Sequence, residues 1–314
     1  MYEQFFGLRE LPFELTPDPR FLVLTDGHAE ALSNLEYGVS SRKGLTLLVG
    51  EAGSGKTTVI RAAIGRQPER VHCVHLNNPM LTRAEFIEAL AHHFALSRRA
   101  AASKAVMLLE LESRLLAQRE RGEATALVVD EAQRLPAELL EELRLLSNIE
   151  TNEQKLLPII IAGQPELAER LEQSDLRQFK QRIALRCELA ALNLRESVAY
   201  LAGRIRAAGG IGGQVFTKEA VCLLHEKSGG LPRLINVVAD NCLLGGLAAG
   251  QKPVGAAIVE EVCRDLRLDS RSQNGVKAPV PTNGQGVPAG AGAPAESSGG
   301  DGVSRTPRKR FLFF

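Results

Sequence analysis

Short apolar runs alternate with helical spacings through the first 190 residues or so. Residues 44 to 50, GLTLLVG, form a short apolar run ending in glycine, the pattern of a buried parallel strand. A helix is predicted over residues 56 to 67 and a second strand over 71 to 76. Residues 83 to 96 carry apolar side chains at 86, 87, 90 and 94, and residues 104 to 121 are amphipathic, so both read as helices. TALVVD at 125 to 130 predicts another buried strand. Residues 137 to 147, with Leu139, Leu140, Leu143 and Leu146, predict a helix, and LLPIIIA closes a further strand at 156 to 162. Strands separated by helices need crossover connections and therefore a parallel sheet. After about Leu192 the strand-like runs stop. Helices are predicted over 195 to 208, 217 to 228, 233 to 249 and 254 to 266, punctuated by GGIGG (209 to 213) and GGLP (229 to 232), with Thr217 as an N-cap. The expected architecture is a three-layer α/β domain followed by a small all-helical domain.

Composition narrows the function classes. The chain has 314 residues and a formal net charge of +1, a balance that disfavours a general polyanion binder. Aromatics make up 4% with no Trp, too few for base-stacking platforms on single-stranded nucleic acid. The five cysteines form no C-x-x-C pair and read as reduced, mostly buried thiols. His92 and His93 are adjacent, so on a helix they point to different sides and are not expected to bind metal. The N-terminus has no basic-then-apolar leader pattern, and no stretch of 18 apolar residues occurs, so no complete transmembrane helix is expected. From residue 270 to 314 there are 8 Gly and 5 Pro, a composition expected to stay disordered. That segment carries a net +4, which leaves −3 on the part expected to fold. It ends RKRFLFF, readable as a membrane-surface or partner-docking tip, as an arbitrary sticky end, or as the approach to a membrane span.

The chemistry concentrates at two places. Residues 50 to 57, GEAGSGKT, match G-x-x-x-x-G-K-[ST] at every position, between a predicted strand and a predicted helix. Gly50, Gly53 and Gly55 let backbone amides wrap a phosphate chain, with the helix N-terminus aimed at it. The expected ATP-binding stretch is Gly50, Glu51, Ala52, Gly53, Ser54, Gly55, Lys56, Thr57 and Thr58, with Lys56 on the β and γ phosphates and Thr57 on Mg2+. The second place is ALVVDE, an apolar strand ending in two carboxylates about 75 residues later. Asp130 would hold a Mg2+-bound water and Glu131 would act as general base on the attacking water. Glu131 favours hydrolysis over phosphate transfer to a small molecule.

On these residues the chain resembles the ExeA, or general-secretion-pathway-protein-A, group of AAA+ ATPases. The carrying segments are FFGLRELPFELTPDPRFL (5 to 22), HAEALSNLEYGV (28 to 39), GEAGSGKTT (50 to 58), LVVDEAQRL (127 to 135), AGQPEL (162 to 167), FKQRI (179 to 183) and SGGLPRLIN (228 to 236). The pattern is shared less closely with transposition- and exosortase-associated ATPases. The resemblance implies a P-loop NTPase of four parts: an N-terminal arm and adenine-side helix (1 to 40), an ATPase domain (41 to 191), a helical lid (192 to 268) and a tail (269 to 314). It implies Gln164 as the polar sensor of the γ phosphate or the water, with a turn cap before Pro165 as the alternative. It implies Arg233 as the lid arginine on the nucleotide, and Arg182 as an arginine finger for a neighbouring subunit, with Arg177 and Arg186 on the same basic stretch. Phe5, Phe6, Phe13 and Phe21 belong, on this resemblance, under the nucleotide base. An arm packed on the sheet edge is the alternative, and His28 is either beneath the adenine or a helix cap.

The implied function is ATP hydrolysis, with ATP and Mg2+, coupled to work on a protein partner in a secretion or cell-envelope system. A DNA-directed ATPase of the transposition-regulator type is the alternative, which the net −3 disfavours, and a nucleotide-dependent scaffold is a third reading. A homo-oligomeric ring or filament is implied, located in the cytoplasm with peripheral contact at the inner membrane through the tip. Secretion-type members continue into a membrane span and a peptidoglycan-binding domain, and neither pattern occurs in these 314 residues.

Overall fold

The structure is a computed structural model that describes residues 1–15, 21, 23–76 and 80–268. The tail expected over 269–314, its tip, and part of the 5–22 segment lie outside the described residues. Five strands form one parallel sheet in the order β2-β3-β4-β1-β5. They are β1 (Leu45–Gly50), β2 (Val71–Leu76), β3 (Ala124–Val129), β4 (Ile159–Gly163) and β5 (Ile183–Leu189). The unbroken apolar runs take the inner places: every residue of β1 and β4 is buried, because helices cover both faces. β4 begins three residues later than the sequence pattern suggests. Pro158 has no N–H to give to the ladder, so it contributes only its carbonyl, which accepts from Leu127 N at 2.9 Å.

The helices of the α/β domain are α2 (Asp26–Ser40), α3 (Lys56–Gly65), α4 (Arg83–His93), α5 (Arg98–Ala102), α6 (Lys104–Glu120), α7 (Ala137–Leu146), α8 (Pro165–Leu171) and α9 (Arg177–Lys180), after a short α1 (Glu3–Phe6) at the N-terminus. One face of the sheet packs Leu45, Leu47, Leu127 and Ile159 against Phe86, Leu90, Leu111 and Leu143 of α4, α6 and α7. The other face packs Leu48, Val128 and Ile160 against Leu32 and Leu35 of α2 and Val59 and Ile60 of α3. α4 starts on a capping box, with Thr82 and Glu85 satisfying each other's backbone amides.

The C-terminal helices are α10 (Leu194–Ala207), α11 (Gly212–Val215), α12 (Lys218–Ser228), α13 (Pro232–Ala248) and α14 (Ala256–Asp265). Thr217 caps α12, accepting from Ala220 N at 3.2 Å, as the sequence suggests. Their core contains Leu201, Ile235, Val238, Leu243 and Val259, and also Tyr2, Phe6, Phe13 and Phe21. The N-terminal arm therefore packs on the helical domain, not on the sheet edge. Tyr2 hydrogen-bonds Asp240, and Arg9 N donates to Ala208 O at 2.8 Å. Among the described residues no helix is long and apolar enough to cross a membrane.

Candidate functional site

β1 ends at Gly50, and the loop that follows turns into α3 with Gly55 as N-cap. Gly53 and Gly55 have φ of +85° and +102°, a region L side chains rarely enter. They are also spatially required: a Cβ on Gly53 would lie 2.6 Å from Arg233 Cβ, and one on Gly55 would lie 3.1 Å from His28 Nε2. Four carbonyls of the loop are engaged by other groups. Lys56 Nζ donates to Gly50 O at 2.7 Å and to Glu51 O at 3.0 Å. Arg233 N donates to Gly53 O at 3.1 Å. His28 Nε2 lies 3.0 Å from Ser54 O. A carbonyl only accepts, so Nε2 carries the proton, and Nδ1 then accepts from the Thr25 hydroxyl at 2.7 Å. With its carbonyls tied back, the loop is left with N–H donors, joined by the first amides of α3, which have no intrahelical partner. That set fits a chain of anionic oxygens. Ser54 is wholly buried with its hydroxyl unpartnered.

The lysine is itself nearly buried. Burial pulls its pKa down from the usual lysine value, and Glu131 and Asp130 oppose that pull. Thr57 Oγ1 donates to Asp130 Oδ2 at 2.8 Å, and Asp130 Oδ1 accepts from Glu131 N at 2.9 Å. A hydroxyl and a carboxylate oxygen this close, at the start of α3, form a hard-oxygen pair suited to Mg2+. Glu131 stands one residue beyond that carboxylate with φ +55°, an unusual conformation for a non-glycine residue. Its Oε2 accepts from Gln133 Nε2 at 2.7 Å and from Gln164 Nε2 at 3.4 Å. Gln164 is the N-cap residue of α8 but makes no side-chain cap bond; its carboxamide donates to Glu131 and does not serve the turn.

Lys56, Thr57, Thr58 and Glu131 share a cavity of about 300 Å³ with Phe21, Val23, His28, Tyr200, Arg204, Arg233 and Asn236. Phe21 thus lines the cavity, while Phe6 and Phe13 lie in the helical core away from its lining. Thr25, not His28, caps α2, accepting from His28 N at 3.4 Å, and the His28 ring ties that helix to the loop. Glu51, Ala52 and Ser54 shape the loop without lining the cavity. Arg182 is placed elsewhere. It occupies the exposed turn between α9 and β5. β5 pairs with β1 from Ile183 opposite Leu45 to Leu189 opposite Gly50. At about 3.3 Å per residue, Arg182 lies roughly 20 Å from the loop of its own chain. Arg177 and Arg186 are exposed as well.

Several site residues carry no sequence signal of their own. Gln133 is an ordinary residue two positions after Glu131. Tyr200 OH donates to Asn236 Oδ1 at 2.9 Å, and Arg204 donates to Tyr200 OH at 3.0 Å and to Pro12 O at 2.6 Å. Gln133 falls within LVVDEAQRL and Asn236 within SGGLPRLIN, but neither motif assigns them a role.

A parallel sheet in this order, with a phosphate-type loop after β1 and an acidic pair after β3, defines a P-loop ATPase fold. The AAA domain family matches residues 39–171. The chain belongs to the AAA+ P-loop ATPases. Among curated proteins it is 40% identical over 254 residues to general secretion pathway protein A of Aeromonas hydrophila, covering 81% of this chain and 46% of that one. The chain thus spans just under half the length of this relative. Among solved structures it is similar to Cdc6p from Pyrobaculum aerophilum, with a TM-score of 0.63 at 17% identity over 81% of this chain and 70% of the other. It is also similar to the Aeropyrum pernix ORC2 protein, solved as ADPNP–ADP complexes, with a TM-score of 0.59 at 18% identity over 81% and 71%. At these identities the likeness is one of fold.

Proposed function

We propose that the chain binds ATP with Mg2+ in the 300 Å³ cavity and hydrolyses it. The observation that carries the reading is the Thr57–Asp130 bond of 2.8 Å, made from Thr57, which lines the cavity together with Lys56 and Glu131. Backbone amides of Gly53, Gly55, Lys56 and Thr57 hold the phosphate oxygens, the Ser54 amide being given to Glu51 O at 3.0 Å, and Lys56 turns from Gly50 O and Glu51 O to the β and γ oxygens. Thr57 and Asp130 hold Mg2+, which when bound neutralises charge on the β and γ phosphates. Glu131 takes a proton from the attacking water, and Gln164, donating beside it, orients that water. Arg233 approaches the phosphates from the helical lid. The base and ribose lie towards Phe21, Val23, Tyr200 and Asn236.

The similarity to general secretion pathway protein A supports a setting in which this ATPase acts on a protein partner of a secretion or envelope system, at the inner face of the membrane. Arg182, far from its own loop, acts on the nucleotide of a neighbouring copy, which makes the working form a homo-oligomer. The test is phosphate release from ATP by the wild-type chain, Lys56→Ala and Glu131→Gln. Lys56→Ala should lose nucleotide binding or turnover. Glu131→Gln should keep binding while turnover falls about 10²- to 10⁴-fold. Wild-type turnover in Lys56→Ala, or parallel loss of binding and turnover in Glu131→Gln, would refute the assignment.

A further inference from the structure

The bond network around Glu131 contains one residue that none of the proposed roles uses. Gln133 sits in the short 3-10 turn Ala132–Arg134, directly after the left-handed Glu131. Its carboxamide faces two ways. Nε2 donates to Glu131 Oε2 at 2.7 Å, while Oε1 accepts from Gln164 N at 3.2 Å, at the start of α8. It is therefore a bridge between the end of β3 and the end of β4. The close approach is made possible by Gly163: a Cβ there would lie 3.1 Å from Gln133 Oε1. Ala132 beneath the turn is fully buried, which fixes the turn against the core.

The consequence falls on the carboxylate. Glu131 Oε2 is held by two amide donors, from Gln133 and Gln164. Among the described residues no hydrogen bond engages Oε1, and Glu131 lines the cavity beside Lys56 and Thr57. A carboxylate pinned through one oxygen presents the other in a fixed direction, and a general base needs that fixed direction. Gln164 at 3.4 Å is the looser of the two holds, and Gln133 at 2.7 Å the tighter.

We propose that Gln133 is a positioning residue for Glu131, pinning Oε2 so that Oε1 is presented to the attacking water. The role rests on Glu131 acting as general base, as put forward above. A displacement of about 1 Å at such a group costs on the order of 10²-fold in rate. A purely structural role is the competing account, in which Gln133 only accepts the Gln164 amide to cap α8. The two accounts separate by which half of the carboxamide matters.

Two substitutions make the separation. Gln133→Met keeps the length and removes both bonds. Gln133→Glu keeps an acceptor for Gln164 N and removes the donor to Glu131. Steady-state ATP hydrolysis and equilibrium binding of a fluorescent ATP analogue are measured on the full chain, each variant also in a Glu131→Gln background. Positioning predicts that both substitutions lower kcat about 10- to 100-fold while KM and analogue affinity stay within about twofold. It also predicts almost no further loss in the Glu131→Gln background, because the residue acts through that carboxylate. Wild-type kcat in Gln133→Glu, with loss only in Gln133→Met, would leave a capping role and overturn the proposal. So would an undiminished loss in the Glu131→Gln background, or affinity falling in step with kcat. Should Gln133→Met fail to fold, Gln133→Glu still decides between the accounts. A wild-type chain that binds ATP and never hydrolyses it removes the general-base reading and this role together. Failure of Gln133 alone leaves normal wild-type turnover.

Discussion

Gly53 is where the loop after β1 meets α13, and replacing it by alanine should injure both. Two costs add. The residue has φ +85°, and an L side chain in the left-handed region costs about 1–2 kcal/mol. The new Cβ would also sit 2.6 Å from Arg233 Cβ, a stem atom beside the backbone that cannot swing away as a flexible tip could. Overpacking of this kind costs about 1–3 kcal/mol. Together they come to roughly 2–5 kcal/mol, relieved in part if α13 lifts from the loop and gives up the Arg233 N to Gly53 O bond of 3.1 Å. At about 1.4 kcal/mol per factor of ten, nucleotide affinity should weaken by about 30-fold or more. Titration with a fluorescent ATP analogue measures this, and thermal unfolding reports how much of the strain reaches global stability. Gly65→Ala is the control. It lies in the same helix-and-loop unit, nothing stands within 4 Å of its Cβ, and its φ is ordinary. Alanine there should be neutral or stabilising by up to about 1 kcal/mol. Wild-type affinity and melting temperature in Gly53→Ala would mean that the loop and lid are not in contact as described.

Arg182→Ala should bind nucleotide normally yet lose on the order of 10³-fold or more in turnover if the arginine serves a neighbouring copy. Specific activity of the wild type should then fall on dilution, and activity constant down to a demonstrated monomer would remove the trans role. His28 gives a pH signature. Burial holds its pKa below the ordinary 6.5, with the Ser54 carbonyl and Glu196 opposing that shift. The unfolded chain therefore binds the proton more readily, so His28's contribution to stability is complete above about pH 6.5 and is lost as pH falls below it. Urea unfolding at several pH values should show a smaller acid-side loss for His28→Gln than for the wild type, and parallel curves would refute the buried neutral ring.

The parts legible in the sequence are those whose cause is local. β1 and β3 are continuous apolar runs because both faces are covered, and the loop of residues 50 to 57 is read from spacing alone. β5 escapes that reading. Its apolar residues alternate with exposed Ala184, Arg186 and Glu188, since it is the edge strand beside β1, and its two arginine neighbours at 177 and 182 make the stretch look merely basic. The aromatic concentration near the N-terminus is visible, six of 14 Phe and Tyr within residues 2 to 37. Where they pack is not visible, because their partners lie some 200 residues on. Arg204 meets Pro12 across 192 residues and His28 meets Ser54 across 26, and no periodicity encodes such pairings.

These long-range bonds give the loop its function-bearing shape. Gly50 and Glu51 carbonyls are held from α3 by Lys56, Gly53 from α13 by Arg233, and Ser54 from α2 by His28. Three separate elements thus fix one short loop. On the proposed reading, the lysine that makes the two α3 bonds turns to the phosphates when nucleotide enters, so they are exchanged on binding. The α2 bond lies within the α/β domain and is indifferent to lid movement. Among the described residues the α13 bond alone joins the loop to the C-terminal helices through the backbone, so on the proposed reading a phosphate chain that reshapes the loop at Gly53 acts on α13. From α13 the path is short: Asn236 bonds Tyr200, Tyr200 bonds Arg204, and Arg204 donates to Pro12 O and Glu14 O of the arm. Three buried side chains, Asn236, Tyr200 and Arg204, thus link α13 to the N-terminal arm. A motion that begins as a bond exchanged at one carbonyl can emerge at the surface where a partner would meet it.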